Sequence, residues 1–234
     1  MTKIITFSID KKIFDSFPAY QRAILVVSNV NNNQLTKLNE SIANEAIRIK
    51  SSISLEDPRL IAWRDAFTML GIKVRDFKPS IDALIRRILN DKPLGSINPI
   101  VDIGTVISLQ FLLPAGAHPI LSDTTDVRLV VANGNDVELG DSIHPSEEVP
   151  AGEIVLLDSN RVATRRWVWR QTNLSRINDK TRDFYLNIDL LDMSLQEQDV
   201  VIEKALKLVR DVFVVDCSVI TLSAAHPFES VEMS

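Results

Sequence analysis

The sequence predicts an α+β fold, with helices concentrated in the first half of the chain and strands in the second. Between residues 35 and 113, helix start signals precede apolar stripes of helical spacing. Between residues 127 and 222, apolar runs typical of strands are separated mainly by turns. No repeat of fixed period and no low-complexity segment is present. This order of elements is typical of α+β proteins.

Three helices are predicted in the first half. Residues 35–50 have an amphipathic pattern, and Asp57-Pro58 provides an N-cap and first turn for a helix that ends at Gly71. The third helix opens at Pro79-Ser80 and carries an apolar stripe, with Arg86 and Arg87 off it. The stripe consists of Ile81, Leu84, Ile85, Ile88 and Leu89.

A mostly buried central helix is predicted to follow. Asn98 is a suitable N-cap, Pro99 suits the first helical position, and the apolar residues after it cover most of the helix surface. Asp102 is the ionisable residue in this run. Two interpretations of Asp102 stay open: a structural carboxylate satisfied by a partner, or a group that faces a pocket. The helix is predicted to leave through a loop at 113–116.

Strands are predicted at residues 4–9 and 22–30, and then repeatedly in the second half. Ser194 and Glu197 form a capping box that starts a helix ending near Phe213. The tail from Pro227 is predicted to be loose. The strands of the second half are predicted at 127–131, 152–158, 162–169, 184–190 and 214–222.

Composition narrows the class of protein. The chain has 234 residues, 45% of them hydrophobic, and a net charge of −5, which argues against a generally basic nucleic-acid-binding protein. No apolar run approaches the ~18–20 residues of a membrane span, and the first residues lack a signal-peptide core. Cys217 is the single cysteine, so no intrachain disulfide can form. A cytoplasmic protein without membrane or DNA partners is predicted.

Common catalytic signatures are missing. The sequence has no Gly-rich phosphate loop and no Gly-x-Ser-x-Gly elbow. His118, His144 and His226 lie far apart and lack a partner at metal-ligand spacing. No metal or cofactor is therefore predicted. A structural role for His118 is weighed against an acid–base role, because this histidine follows the central helix.

Charge is segregated in the second half. Residues 133–160 contain seven acidic residues and no Lys or Arg, whereas residues 161–182 contain seven basic residues and one acidic residue. The two segments could neutralise each other across a sheet. Alternatively, the basic segment could form a groove in which indoles stack on a base or an aromatic ligand and arginines hold a phosphate or carboxylate, with Arg165, Trp167 and Trp169 on one strand face. The predicted tRNA-binding residues are Arg165, Arg166, Arg170 and Arg176.

Six short blocks, in order, resemble the B3/B4 module of the phenylalanyl-tRNA synthetase beta subunit, and more closely the free-standing proteins built from that module. The likeness covers about residues 60–190 and implies a B3/B4-like fold for residues 1–234, as one unit or two tightly packed lobes. The blocks are Trp63-Arg64-Asp65-Ala66, 79–87, 98–102, Leu113-Pro114-Ala115-Gly116, Gly152-Glu153-Ile154-Val155 and Arg166-Trp167-Val168-Trp169-Arg170.

In the synthetase this module hydrolyses tyrosine wrongly joined to the phenylalanine tRNA. The positions of its editing His and Glu fall on Gly116 and Asn187 here, so catalysis is not carried over. Gly116 implies a wider cavity, and Asn187 implies preference for a neutral polar ligand group over a cationic one. The predicted ligand-binding residues, between the central helix exit and the late strands, are Asn98, Asp102, Gly116, Trp167 and Asn187.

The function implied by the resemblance is binding of an amino acid or of the aminoacyl end of a tRNA, with trans-editing hydrolysis of mischarged aminoacyl-tRNA left open. A deacylase would need a positioned water and polar groups around the ester, not necessarily a side-chain nucleophile. The alternative is a non-catalytic module that binds a small ligand or a protein partner.

Overall fold

The computed structural model describes residues 3–34, 36–138 and 146–233, which contain six α-helices, one 3₁₀ turn and three sheets. The α+β prediction is confirmed. The helices are α1 Lys11–Ser16, α2 Leu38–Ser52, α3 Pro58–Met69, α4 Ser80–Leu89, α5 Pro99–Phe111 and α6 Leu195–Phe213, and the 3₁₀ turn is Asn173–Ser175. The strands are β1 Lys3–Ile9, β2 Gln21–Val27, β3 Ala115–Pro119, β4 Asp126–Val131, β5 Val137–Glu138, β6 Glu147–Glu148, β7 Ile154–Asp158, β8 Arg161–Arg165, β9 Arg170–Gln171, β10 Phe184–Leu190, β11 Cys217–Leu222 and β12 Phe228–Met233.

Side-chain caps mark where α5 and α6 begin. The Asn98 carboxamide oxygen accepts a hydrogen bond from the backbone N–H of Val101 at 3.1 Å, which satisfies an orphan donor at the start of α5. The backbone N–H of Ile100 donates to Asn32 Oδ1 at 3.0 Å. Ser194 and Glu197 form the predicted capping box of α6. Local sequence therefore sets the entry points of α5 and α6.

Two larger sheets organise the fold. One has four antiparallel strands in the order β11-β2-β10-β3, and the other has six strands in the order β12-β1-β4-β7-β8-β9. Within the six-stranded sheet, β1 and β4 run parallel while the other neighbours are antiparallel. Buried apolar residues from both sheets and from the helices form the main core, and a second, smaller cluster lies around β7 and β8.

Helix α5 packs closely on the edge strand of the four-stranded sheet. A Cβ atom at Gly104 would lie 3.3 Å from the carbonyl oxygen of Ala115, which is tighter than ordinary packing. Ser108 reinforces the contact, because its hydroxyl oxygen accepts from the backbone N–H of Ala115 at 3.0 Å. This packing fixes β3 beside the helix from which it emerges.

Three local predictions were wrong. The tail is not loose, because residues 228–233 form edge strand β12 against β1. The loop predicted after α5 becomes strand β3, and β8 ends at Arg165 instead of continuing to residue 169. Arg166 and Trp167 have φ angles of 46° and 59°, which turn the chain and end the alternation of faces. Leu35, Asp141 and His144 lie outside the described residues.

Candidate functional site

A cleft of about 570 Å³ lies between the four-stranded sheet, helices α4 and α5, and the turn that joins β8 to β9. Its volume is within the range of small-molecule sites in proteins. Apolar side chains of α4 and α5 form one wall, with Leu84 and Val101 among them. The opposite wall comes from the turn, through Trp167, Val168 and Trp169.

The floor of the cleft is one face of the four-stranded sheet. Asn187 and Asp189 are two residues apart in β10 and therefore point to the same side of the sheet. Gly116 of β3 lies opposite Asn187, and Arg22 of β2 lies opposite Asp189. Strand pairing thus brings four residues from distant parts of the sequence into one polar floor, and all four line the cleft.

A buried ion pair occupies one end of this floor. Arg22 Nη2 lies 2.6 Å and Nε 2.9 Å from the same Asp189 oxygen, Oδ1. The Tyr20 hydroxyl donates to that oxygen as well, and Trp167 Nε1 donates to the Tyr20 hydroxyl at 3.4 Å. Burial alone would lower the pKa of Arg22, but the Asp189 carboxylate outweighs it and the pKa is raised. The Arg22 guanidinium is therefore held charged beside Asp189.

Asn187 supplies an unpartnered polar group at the centre of the floor. Its side chain is only 4% exposed, and its Oδ1 atom has no hydrogen-bond partner among the described residues. A buried polar atom without a partner is costly, so such atoms are commonly satisfied by water or a ligand. Opposite it, a Cβ built on Gly116 would meet nothing within 4 Å. The cleft is therefore open on the Gly116 side of Asn187.

His118 lines the cleft but is already engaged by its neighbours. Its Nδ1 accepts from the Gln171 amide at 3.1 Å, which leaves Nε2 to donate to the Thr164 hydroxyl at 3.4 Å. The ring stacks on Tyr185 with centroids 5.2 Å apart. Burial, with the nearby Arg22 charge, lowers the pKa of His118 to about 3. A neutral imidazole with both nitrogens engaged is a poor general base.

Cations and aromatic rings cluster beside the cleft, and of these Trp169 and Arg170 line it. The Arg166 guanidinium carbon lies 3.8 Å from the Phe77 ring centroid and 4.7 Å from that of Trp169. Arg170 lies 4.8 Å from the Trp169 centroid. Trp169 and not Trp167 is thus the indole beside the guanidinium groups. Trp167 is 1% exposed and packs edge-on against Trp63 with centroids 5.2 Å apart.

Part of the basic segment is neutralised by the acidic segment. Arg165 is 1% exposed and contacts Glu153 at 2.5 Å, Glu138 at 2.9 Å and Glu147 at 3.3 Å. Arg170 pairs with Glu138 at 2.9 Å. The geometry at these positions matches the first interpretation of the charge segregation, pairing between strands, and leaves Arg165 without a surface to offer RNA.

A family model described as "B3/4 domain" matches residues 62–207, well over half of the chain. The chain belongs to the B3/4 domain family. Among solved structures, the B3/4 chain matches an N-terminal fragment of the phenylalanyl-tRNA synthetase beta subunit from Pyrococcus horikoshii, at 9% identity and a TM-score of 0.42. That match covers 92% of this chain and half of the other. No curated protein matches the sequence.

The predicted ligand-binding residues of the B3/4 chain fall into two groups. Gly116, Trp167 and Asn187 line the cleft together. Asn98 caps α5, and Asp102 accepts from the Ser96 hydroxyl and from the Ile97 backbone N–H at 2.9 Å. Both of these side chains lie outside the lining of the cleft, because each satisfies the chain around the start of α5.

Sequence reasoning missed the ion pair in the floor of the B3/4 cleft. Arg22 and Asp189 are charged residues inside otherwise apolar strands, the same signal that singled out Asp102. Two opposite charges in separate buried runs would have suggested a pair, although the register that joins them is set by tertiary structure. Gln171 and Thr164, which engage His118, carried no such signal.

The described residues contain neither a cluster suited to a metal ion nor a helix suited to cross a membrane. No group of three or more His, Cys, Asp or Glu residues is placed to hold a metal ion within ranges 3–34, 36–138 and 146–233. No helix in that part of the chain combines the length and apolar character needed to cross a membrane.

Proposed function

We propose that this B3/4 domain protein binds an amino acid, either free or as the aminoacyl end of a tRNA, in the cleft above Asn187. The observation that carries the proposal is the buried Asn187 carboxamide, whose Oδ1 has no partner among the described residues, in the polar floor of a mostly apolar cleft. Apolar walls suit a side chain, while the carboxamide suits a neutral donor such as an amide or hydroxyl group.

The chemistry of the lining favours binding over hydrolysis. His118 is neutral and engaged, and Asp189 is held by Arg22 and Tyr20, so neither is placed to abstract a proton. Asn187 is an amide and accepts hydrogen bonds without taking up a proton. Hydrolysis in trans would depend on a water held near Asn187 and on the geometry of the ester itself. The same observations favour the non-catalytic small-ligand alternative.

The test fills the cleft at Gly116. Gly116→Trp places an indole where a Cβ meets nothing within 4 Å and where the backbone does not have positive φ, so the fold should tolerate it. We expect the parent protein to bind one or a few of the free amino acids in a titration screen, and Gly116→Trp to weaken that binding at least tenfold. A deacylation screen with mischarged tRNAs, run on both proteins, measures whether hydrolysis accompanies binding.

Gly95→Trp is the matched control. Gly95 is exposed, its Cβ would also meet nothing within 4 Å, and it does not line the cleft. The Gly95→Trp variant should bind the amino acid, and should unfold, like the parent protein. Parental binding by a folded Gly116→Trp variant would place the ligand elsewhere. Absence of both binding and deacylation in the parent would remove the proposal altogether.

A further inference from the structure

The basic segment at residues 161–182 divides into two halves in the structure. Its first half is neutralised, since Arg161, Arg165 and Arg170 each contact carboxylates. The cations of the second half, Arg176 and Lys180 with Arg182, form no ion pair with a described residue. The unneutralised charge of the segment is therefore concentrated at its end.

These three cations line one groove of about 350 Å³. Its other wall is residues 119–122, the end of β3 and the chain after it. Lys3 lies behind this wall without lining the groove, and its ammonium donates to the backbone carbonyls of Leu121 and Ser122. The acidic residue in the groove is Asp183, which accepts from the Asn29 backbone N–H at 2.9 Å. The groove carries a clear excess of positive charge.

A hydrogen-bonded turn fixes the backbone that presents these cations. The Thr181 backbone N–H donates to the Asn178 carbonyl at 3.0 Å, and the Lys180 N–H donates to Asn178 Oδ1 at 2.9 Å. The Thr181 hydroxyl closes the turn by accepting from the Asn178 N–H at 3.1 Å. Arg182 contacts the segment that follows β2, because its Nη1 donates to the Val30 carbonyl at 3.2 Å. A fixed backbone lowers the entropy cost of gathering the charges.

Two segments lead directly from the cleft to the groove. Strand β3 lines the cleft with Gly116 and His118 and reaches the groove at Pro119. Gln171 lines the cleft and donates to the Ser175 carbonyl, one residue before Arg176. At a strand rise of ~3.3 Å per residue, the three steps from Gly116 to Pro119, where β3 ends at the groove, span roughly 10 Å. A short stretch of extended nucleic acid strand can bridge that distance.

We propose that the groove of Arg176, Lys180 and Arg182 binds backbone phosphates of an RNA strand whose aminoacylated 3′ end enters the cleft. This rests on the proposed function, since the cleft defines which end of the RNA is held. Guanidinium and ammonium groups make charge-assisted hydrogen bonds to phosphate, and an open groove suits a strand more than a small anion.

The test removes two exposed cations together, in Arg176→Ala/Lys180→Ala. Arg182 is kept because its bond to Val30 also supports the fold. With deacylated bulk tRNA as the probe, we expect at least tenfold weaker binding at low salt. The slope of log affinity against log salt should flatten by roughly 1.4, twice the ~0.7 expected for one phosphate contact on a single strand. Lys11→Ala/Lys12→Ala, which removes two exposed charges outside the groove, should behave like the parent.

Equal affinity and salt slope for the groove variant and the parent would overturn the proposal, as would an equal loss in the Lys11/Lys12 control or no tRNA binding by the parent. Inorganic phosphate is titrated separately, and binding as tight as that of tRNA would replace RNA with a small anion as the ligand. Amino acid binding by the groove variant should stay parental. A groove-dependent tRNA affinity without any amino acid binding would keep the groove and remove the cleft function.

Discussion

At the scale of single residues, Asp102 is a carboxylate whose role is structural. It lies in the first turn of α5, is 1% exposed, and accepts from the Ser96 hydroxyl and the Ile97 backbone N–H. These bonds tie the segment before the helix to its first turn. Of the two interpretations left open by the sequence, the geometry matches the satisfied carboxylate.

Replacing Asp102 with Ala should lower the free energy of unfolding by ~1–3 kcal/mol, because two partly buried hydrogen bonds lose their acceptor. Urea denaturation monitored by circular dichroism measures the change. Asp65→Ala, at an exposed position of α3, is the control and should stay within about 0.5 kcal/mol of the parent. A parental denaturation midpoint for Asp102→Ala would mean that its bonds do not stabilise the fold.

Residue-level predictions succeeded where the chemistry is local. Asn98 could be assigned as a cap because its neighbours in the sequence identify a helix start. The floor of the cleft could not be assembled in this way, since Arg22 and Asp189 meet only through the pairing of β2 with β10. Gly116 and Asn187 were placed on one cavity by the family resemblance, and nothing in local spacing would have joined them.

At the scale of elements, the pairing of β2 with β10 places a buried charge pair between the two strands. Arg22 and Asp189 face each other in the register of the two strands, and each is nearly inaccessible to solvent. A buried pair adds little over well-packed apolar residues, but losing one partner leaves the other charge uncompensated.

Asp189→Leu should therefore destabilise the protein by roughly 3–5 kcal/mol. The double variant Arg22→Met/Asp189→Leu should recover part of that loss, although the Tyr20 hydroxyl still lacks its acceptor. A double-mutant cycle measures this coupling. It compares the thermal and urea unfolding of the parent, Arg22→Met, Asp189→Leu and the double variant. If the double variant is as unstable as the sum of the singles, the two charges do not act as a pair.

Helix ends were predictable and strand ends were less so. Caps at Asp57, Asn98 and Ser194 mark helix starts in the sequence and in the structure alike. The turn at Arg166 and Trp167 was missed because positive φ is uncommon for such residues and gives no local signal. Burial of Trp167 against Trp63 and Tyr20 accompanies that conformation, which is a tertiary effect.

At the scale of the whole molecule, burial of a neutral histidine links folding to pH. The pKa of His118 is lowered to about 3, from 6.5 in the unfolded chain, by burial and by the Arg22 charge. Between these values the unfolded state binds a proton that the folded state does not. Stability from this group is complete above pH 6.5 and is lost as the pH falls towards 3.

The parent should lose roughly 2 kcal/mol more stability than His118→Gln between pH 6.5 and 4.5, given ~1.4 kcal/mol per pH unit at most. Urea unfolding at a series of pH values measures the difference, and carboxylates common to both proteins cancel. His226→Gln, at an exposed site, should keep the parental profile. Parallel profiles for the parent and His118→Gln would mean that His118 is protonated in the folded protein.

The sequence predicted the order of helices and strands better than it predicted how the strands pair. The order of helices and strands, and six ordered blocks, led to the B3/4 family. The parallel pairing of β1 with β4 and the addition of β12 to the same sheet could not be deduced, because both join residues more than a hundred positions apart. Long-range pairing is decided by the core that the strands build together.

Because Gly116 has no side chain, a single substitution at this position can change the size of the cleft. A Cβ at this position meets open space, and the strand conformation there suits any residue. Ala, Val and Leu could therefore be introduced as a graded series that shortens the accepted ligand step by step while the sheet beneath stays as it is. Proteins of this architecture could diverge in ligand preference through this one position, and an engineer could use it to the same end.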